Sequence, residues 1–254
     1  MINVIPIPAF EDNYIWVIRN GRCAAAVDPG DAAPLLDYLG REGLRLVAVL
    51  NTHHHGDHVA GNADLLARFE VPVYGPKREH IATVSEPLEE GDRVRLPEIS
   101  LELAVLDIPG HTAGHIAYYG ANALFCGDTL FGCGCGRLFE GSPAQMHASL
   151  QKLARLPDDT LVYCAHEYTL ANIRFAKSVE PCNGDLAQRE ETDRRARSEN
   201  RPTLPSTIGL ERRTNPFLRC DQPEIIRAAS AHAGMDLPDT VAVFRAVREW
   251  KDRA

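Results

Sequence analysis

Between Asn51 and His58 the chain reads Asn-Thr-His-His-His-Gly-Asp-His, directly after the apolar run Leu46–Leu50. The run is short and rich in β-branched residues, which predicts a buried strand. Four of the chain's ten histidines therefore sit where a strand empties into a loop, the place where α/β architectures put their chemistry. Imidazole and carboxylate donors together suit a borderline divalent cation such as zinc, with iron or manganese as alternatives. A purification tag would be a terminal homopolymer, whereas this cluster is internal and interrupted by Gly56 and Asp57.

Spacing sharpens the reading. His53 and His55 are two apart, so extended backbone aims them the same way and His54 elsewhere. Asp57 and His58 follow the turn at Gly56 and can serve a second direction. One loop could thus feed two neighbouring metals. Further donors stand at three other strand exits: His111 in Pro-Gly-His-Thr, Asp128 in Cys-Gly-Asp-Thr, and His166 after Tyr163-Cys164-Ala165. Each is flanked by small residues that allow close backbone approach.

Around these motifs the first 166 residues alternate strands and short helices. Strands are expected at Ile2–Ile7, Tyr14–Arg19, Cys23–Val27, Leu46–Leu50 and Val71–Tyr74, then at Asp92–Leu96, Ser100–Ile108, His115–Tyr119, Ala123–Cys126 and Leu161–Cys164. Helices are expected at Ala33–Glu42 with Asp31 as cap, at Gly61–Phe69, and at Pro143–Leu153 with Ser142 as cap. From about residue 167 the patterning is helical: Ala171–Ser178, Leu186–Asn200, Glu224–Ala233 and Pro238–Glu249, with Arg201–Pro216 as a connector. Cys133-Gly134-Cys135-Gly136, lacking a second cysteine pair, reads as a Gly-rich loop rather than a zinc site.

Composition excludes several classes. Residues 1–166 carry 12 basic and 21 acidic side chains, and 167–254 carry 15 and 14. A net charge of −8 argues against nucleic-acid or anionic-membrane binding. The longest apolar runs are too short to span a bilayer, and the N-terminus shows no secretory pattern. Seven cysteines without framework spacing suit reduced thiols in the cytoplasm.

In order and context, His53-x-His55-x-Asp57-His58, Gly110-His111-Thr112, Gly127-Asp128-Thr129 and Ala165-His166 resemble the metallo-β-lactamase superfamily. The resemblance implies an α+β fold: an αββα sandwich over residues 1–166, followed by an all-α domain over 167–254. It implies that His53, His55 and His111 bind one metal, that Asp57, His58 and His166 bind the other, and that Asp128 bridges them together with a water or hydroxide. Asp57 and Asp128 are then the catalytic carboxylates, and Asp28 holds a ligand imidazole by hydrogen bonding.

The loop Gly132–Gly141, the segment Ala165-His166-Glu167-Tyr168-Thr169 and the ending Phe244–Asp252 resemble glyoxalase II, the hydroxyacylglutathione hydrolase family, most nearly its bacterial members. That resemblance implies hydrolysis of S-D-lactoylglutathione to D-lactate and glutathione, the second step of methylglyoxal detoxification, by a metal-bridging hydroxide. Two divalent metal ions are implied, zinc first, and a monomer with a small-molecule glutathione thioester as its partner. Arg137, Tyr168, Arg248 and Lys251 are implied to hold glutathione. Arg248 and Lys251, three apart, share a helix face; cations also suit a solvated helix end. Phe139 stands where some members carry a tyrosine. The alternative of the same fold is a mononuclear-iron glutathione persulfide dioxygenase.

Overall fold

The structure is a computed structural model and describes residues Asn3–Ala254. By packing, the chain divides into two units. One runs to Asp107 and resumes over Ala113–Gly127; the other comprises Ile108–Thr112 and Asp128–Ala254.

The first unit is built on two sheets. β1 (Asn3–Ala9), β2 (Asn13–Asn20), β3 (Cys23–Val27) and β4 (Arg45–Leu50) are followed by β5 (Val73–Pro76) and β6 (Glu86–Leu88), in the spatial order β1 to β6. The expected strand at Ile2–Ile7 is found from Asn3; Ile2 lies outside the described residues. β1–β2–β3 pair antiparallel, while β3–β4–β5–β6 run parallel. Parallel strands are covered on both faces, which is why β4 shows an unbroken apolar run instead of alternation. One face of this sheet packs on α1 (Ala32–Glu42), whose Asp31 cap accepts from the Ala33 amide. The second sheet holds β7 (Arg93–Leu96), β8 (Leu101–Asp107), β9 (Ile116–Gly120) and β10 (Ala123–Gly127), all antiparallel in sequence order.

The single helix expected over Gly61–Phe69 is instead two short ones, α2 (Gly56–Val59) and α3 (Asn62–Leu66). The reason is tertiary. Gly61 donates its amide to the Pro29 carbonyl at 3.1 Å, leaving the helical ladder at that point. A Cβ at Gly61 would stand 2.5 Å from that carbonyl, so the approach needs glycine.

In the second unit, the Gly-rich stretch is a tight hairpin, β11 (Leu130–Phe131) and β12 (Gly134–Cys135), rather than a loop. Then come α4 (Pro143–Leu153), opened by a Ser142–Gln145 capping box, β13 (Leu161–Cys164), α5 (Thr169–Val179) and α6 (Gly184–Ser198). The expected connector Arg201–Pro216 contains a strand, β14 (Ser206–Thr207), paired with β13, and a helix, α7 (Ile208–Thr214), capped by Thr207. Two-residue strands carry no periodicity, so only the pairing reveals them. α8 (Pro223–Ala233) and α9 (Thr240–Asp252) close the chain. Stacked and edge-on rings of Phe175, Phe217, Phe244 and Trp250 tie the helices together. Among the described residues no helix is long and apolar enough to cross a membrane.

Candidate active site

The histidine loop leaves β4 under tight restraint. Asn51 continues the ladder by donating to Tyr74, and its side chain binds the His58 carbonyl at 3.1 Å. Thr52 donates both its amide and its hydroxyl to Asp28, at 2.8 and 2.7 Å. Since that hydroxyl proton goes to Asp28, Thr52 Oγ1 accepts from His53 Nδ1 at 3.1 Å. His53 therefore keeps its lone pair on Nε2, which faces Nδ1 of His55 at 3.1 Å. His58 lies between two carboxylates. Its Nδ1 meets Asp28 Oδ2 at 3.0 Å, and its Nε2 meets Asp57 Oδ2 at 3.5 Å. Asp28 thus restrains both the loop backbone and one imidazole, from a left-handed backbone conformation (φ 51°) at the end of β3.

Two residues that hold the site went unmarked by any local pattern. Asn13, at the start of β2, donates to Asp57 Oδ2 at 3.0 Å. Glu79 accepts from the Gly114 amide at 3.0 Å and bonds His54 Nδ1 at 2.8 Å, which turns His54 out of the cluster. His115 stacks on His53 at 4.6 Å and gives its Nδ1 proton to the Ile116 carbonyl.

The second unit presents His111, Asp128 and His166. Asp128 Oδ2 stands 3.5 Å from His111 Nε2, and Asp128 Oδ1 stands 3.4 Å from His166 Nε2. One carboxylate thus addresses two imidazoles through different oxygens. His111 donates Nδ1–H to the Arg137 carbonyl at 2.9 Å, again leaving the lone pair on Nε2. Gly136 makes this arrangement sterically feasible, since a Cβ there would fall 1.9 Å from the Asp128 carbonyl and 3.0 Å from His111 Nδ1.

Beside these residues the second unit encloses a cavity of about 420 Å³. Tyr168 stacks on His166 at 4.8 Å with nearly parallel rings, and Phe131 meets both edge-on. The pair on α9 is no solvated helix end. Arg248 is only 4% exposed; it donates to the Cys135 carbonyl and to Asp252, each at 2.9 Å, and its guanidinium lies over the Phe217 ring. Lys251 bonds Asn172 and lies over the Phe175 and Phe217 rings. Burial, reinforced by the like charge of Arg248, lowers the Lys251 ammonium to about 8. Arg137 is exposed at the rim, 3.7 Å from Asp252. Phe139 is exposed with its ring edge toward His111, at 5.2 Å. Asn172, which both binds Lys251 and donates to the Gly132 carbonyl at 2.8 Å, carried no sequence signal.

The donors fit a divalent cation. Two ligands about 2.1 Å from a tetrahedral ion stand about 3.4 Å apart. The His53–His55, His58–Asp57, His111–Asp128 and His166–Asp128 separations run from 3.1 to 3.5 Å. At His111 the Nδ1 hydrogen bond leaves the Nε2 lone pair facing an Asp128 oxygen, an arrangement that a cation between them stabilises.

This fold and donor set define a class of metal-dependent proteins. Residues 9–166 match the model of the metallo-β-lactamase superfamily, and His and Asp groups of this kind bind divalent metal ions. Residues 167–254 match a second model, described as the hydroxyacylglutathione hydrolase C-terminus. A hydroxyacylglutathione hydrolase from Nitrosomonas eutropha is 59% identical over 252 residues, spanning 99% of either chain. The chain belongs to the hydroxyacylglutathione hydrolases, the thioester hydrolases also called glyoxalase II. Among solved structures, ETHE1 from Myxococcus xanthus superposes with a TM-score of 0.66 at 25% identity, covering 99% of this chain and 98% of its own. TTHA1623, solved in a di-iron-bound form, has a TM-score of 0.60 at 28% identity and covers 85% and 100%.

Proposed function

We propose that the enzyme hydrolyses S-D-lactoylglutathione and related S-(2-hydroxyacyl)glutathiones to the hydroxy acid and glutathione, with two divalent ions per chain, zinc first. The observation that carries the reading is Asp128, whose two oxygens face two different imidazoles as a bridging carboxylate requires. In this reading His53, His55 and His111 would hold one ion and Asp57, His58 and His166 the other. Bound there, such ions supply a water of near-neutral pKa and polarise the thioester carbonyl.

The protein's own residues do the rest. Thr52 and the Arg137 carbonyl hold imidazole tautomers with the lone pair toward the reaction, and Asp28 sets its carboxylate against His58. Asn13 orients Asp57. Tyr168, Arg137 and Lys251 would bind glutathione in the cavity, the two cations pairing with its carboxylates. Arg248, whose Nη1 and Nη2 bond Cys135 and Asp252, lines the same cavity and would add its charge to glutathione binding. The departing thiolate needs no dedicated acid, because a thiol of pKa about 8.5 leaves readily.

The catalytic part would be residues 1–166 and the glutathione-binding part 167–254, a division supported by the spans of the two family models. We place the enzyme in the cytoplasm as a monomer that acts on neither nucleic acid nor membrane. Seven free thiols and the acidic composition support that placement. Against the persulfide dioxygenase alternative stands 59% identity to a named hydrolase. Turnover of S-D-lactoylglutathione and metal content, measured on one sample, test the proposal. Two ions per chain with turnover support it. One iron with oxygen consumption on glutathione persulfide supports the alternative, and a two-metal sample without turnover refutes the hydrolase reading.

A further inference from the structure

A buried ion pair outside the donor set holds the hairpin that carries one wall of the site. Arg189 on α6 is 4% exposed and Glu211 on α7 is fully buried. The guanidinium donates to Glu211 Oε1 at 2.7 Å, to Thr214 at 2.7 Å and to Asp193 at 3.2 Å. Glu211 turns its other oxygen, Oε2, to the hairpin, where it accepts from the Cys133 amide at 2.8 Å. It also accepts from Asn215 Nδ2 at 3.0 Å. Asn215 in turn donates to the carbonyls of Gly134 at 2.9 Å and Phe131 at 3.3 Å.

Three backbone groups of the β11–β12 hairpin are thus tied, directly or through Asn215, to one carboxylate. Cys133 sits there in left-handed backbone (φ 56°), a conformation that a non-glycine residue keeps only when its surroundings impose it. The chain enters this hairpin from Asp128 and Thr129. It leaves through Cys135, whose carbonyl holds Arg248, and through Arg137, whose carbonyl holds His111 Nδ1. Gly136 between them lies against the Asp128 carbonyl. A shift of the hairpin therefore moves the His111 imidazole, the Asp128 backbone and the cavity wall together.

We infer that Glu211, with Arg189 as its counter-ion, is a positioning residue of the reaction: it sets the hairpin that orients His111 and seats Arg248. The inference rests on the functional reading above for what His111 and the cavity do. It explains why so costly a group as a buried carboxylate accepts a main-chain amide here. An ionised acceptor makes the stronger and more directional bond, and Arg189 offsets the burial of its charge.

A second ion pair of the same unit supplies the control. Glu180, also 4% exposed, accepts two bonds from Arg219 and one from Asn183, none of them on the hairpin. Glu211→Gln, Asn215→Ala and Glu180→Gln should be compared at a temperature where near-ultraviolet circular dichroism shows each folded. Asn215→Ala removes two of the three hairpin ties without orphaning Arg189, so it serves if Glu211→Gln does not fold. A displacement of about 1 Å at a reacting group costs up to about a hundredfold. We expect kcat/KM for S-D-lactoylglutathione to fall at least about tenfold in the hairpin variants, with a matching loss of zinc affinity in chelator competition. Glu180→Gln should change stability alone. Equal effects of all three variants on kcat/KM and zinc affinity, or none in the hairpin variants, overturn the inference. A wild-type enzyme without turnover would sink the functional reading instead, and the zinc competition would still decide the positioning role.

Discussion

At the scale of single residues, the site is a matter of where protons and lone pairs sit. His53 and His111 each spend Nδ1 on a fixed neighbour, Thr52 and the Arg137 carbonyl, and His58 sets its Nδ1 against the Asp28 carboxylate. The spacing of His53 and His55 made their common orientation legible in advance, because alternation along extended backbone is a local property. The neighbour of His111 was not legible, being a main-chain carbonyl 26 positions away. Lys251 offers a prediction at this scale. Its ammonium titrates near 8, so it is charged below that pH and neutral above it. A glutathione carboxylate favours the charged form. KM should therefore be flat below pH 8 and rise above it, by about tenfold if a charge-assisted bond worth ~1.4 kcal/mol is lost. Lys251→Met should start at the higher KM and lose the dependence. Steady-state KM across pH 6 to 10 checks this, and parallel rises in both proteins would refute it.

At the scale of elements, locally encoded features were readable. The caps Asp31 and Ser142 are where a short acceptor precedes an amphipathic run, and both close the helix ends that follow them. The hairpin β11–β12 and the strand β14 were not readable. Two residues leave no periodicity, and their pairing partners come from the fold. The hairpin is nevertheless where substitutions should tell most. Gly136→Ala would place a methyl 1.9 Å from the Asp128 carbonyl, a contact that forces either chain to move. We expect kcat to fall about a hundredfold with far-ultraviolet circular dichroism unchanged. Near-normal kcat would mean the hairpin yields without disturbing Asp128 and His111.

At the scale of the whole molecule, the donors come from widely separated strand exits, and no single segment holds a complete set. Metal binding should then stabilise the folded chain, because an unfolded one does not gather those donors. At a metal concentration about a thousandfold above Kd the gain is ~4 kcal/mol. For a chain of this size that corresponds to a Tm higher by about 8–16 °C. Chelation should lower Tm by that order and abolish activity, and added zinc should restore both. A Tm indifferent to chelation, recorded calorimetrically, would contradict a metal bound in the native fold.

By itself the sequence determined the donor types, the strand exits that carry them and the helical character of the C-terminal region. All three follow from side-chain chemistry and from periodicities of two and 3.6 residues. Tertiary structure alone decided what those residues touch. Arg248 and Lys251 read equally as a solvated helix end until Arg248 was found donating to Cys135, a residue 113 positions away. Glu211 carried no signal at all until its carboxylate met the Cys133 amide, 78 positions distant. The physical reason is common to both. Hydrogen bonds and burial between segments so far apart depend on how the chain packs, and local pattern holds no record of that.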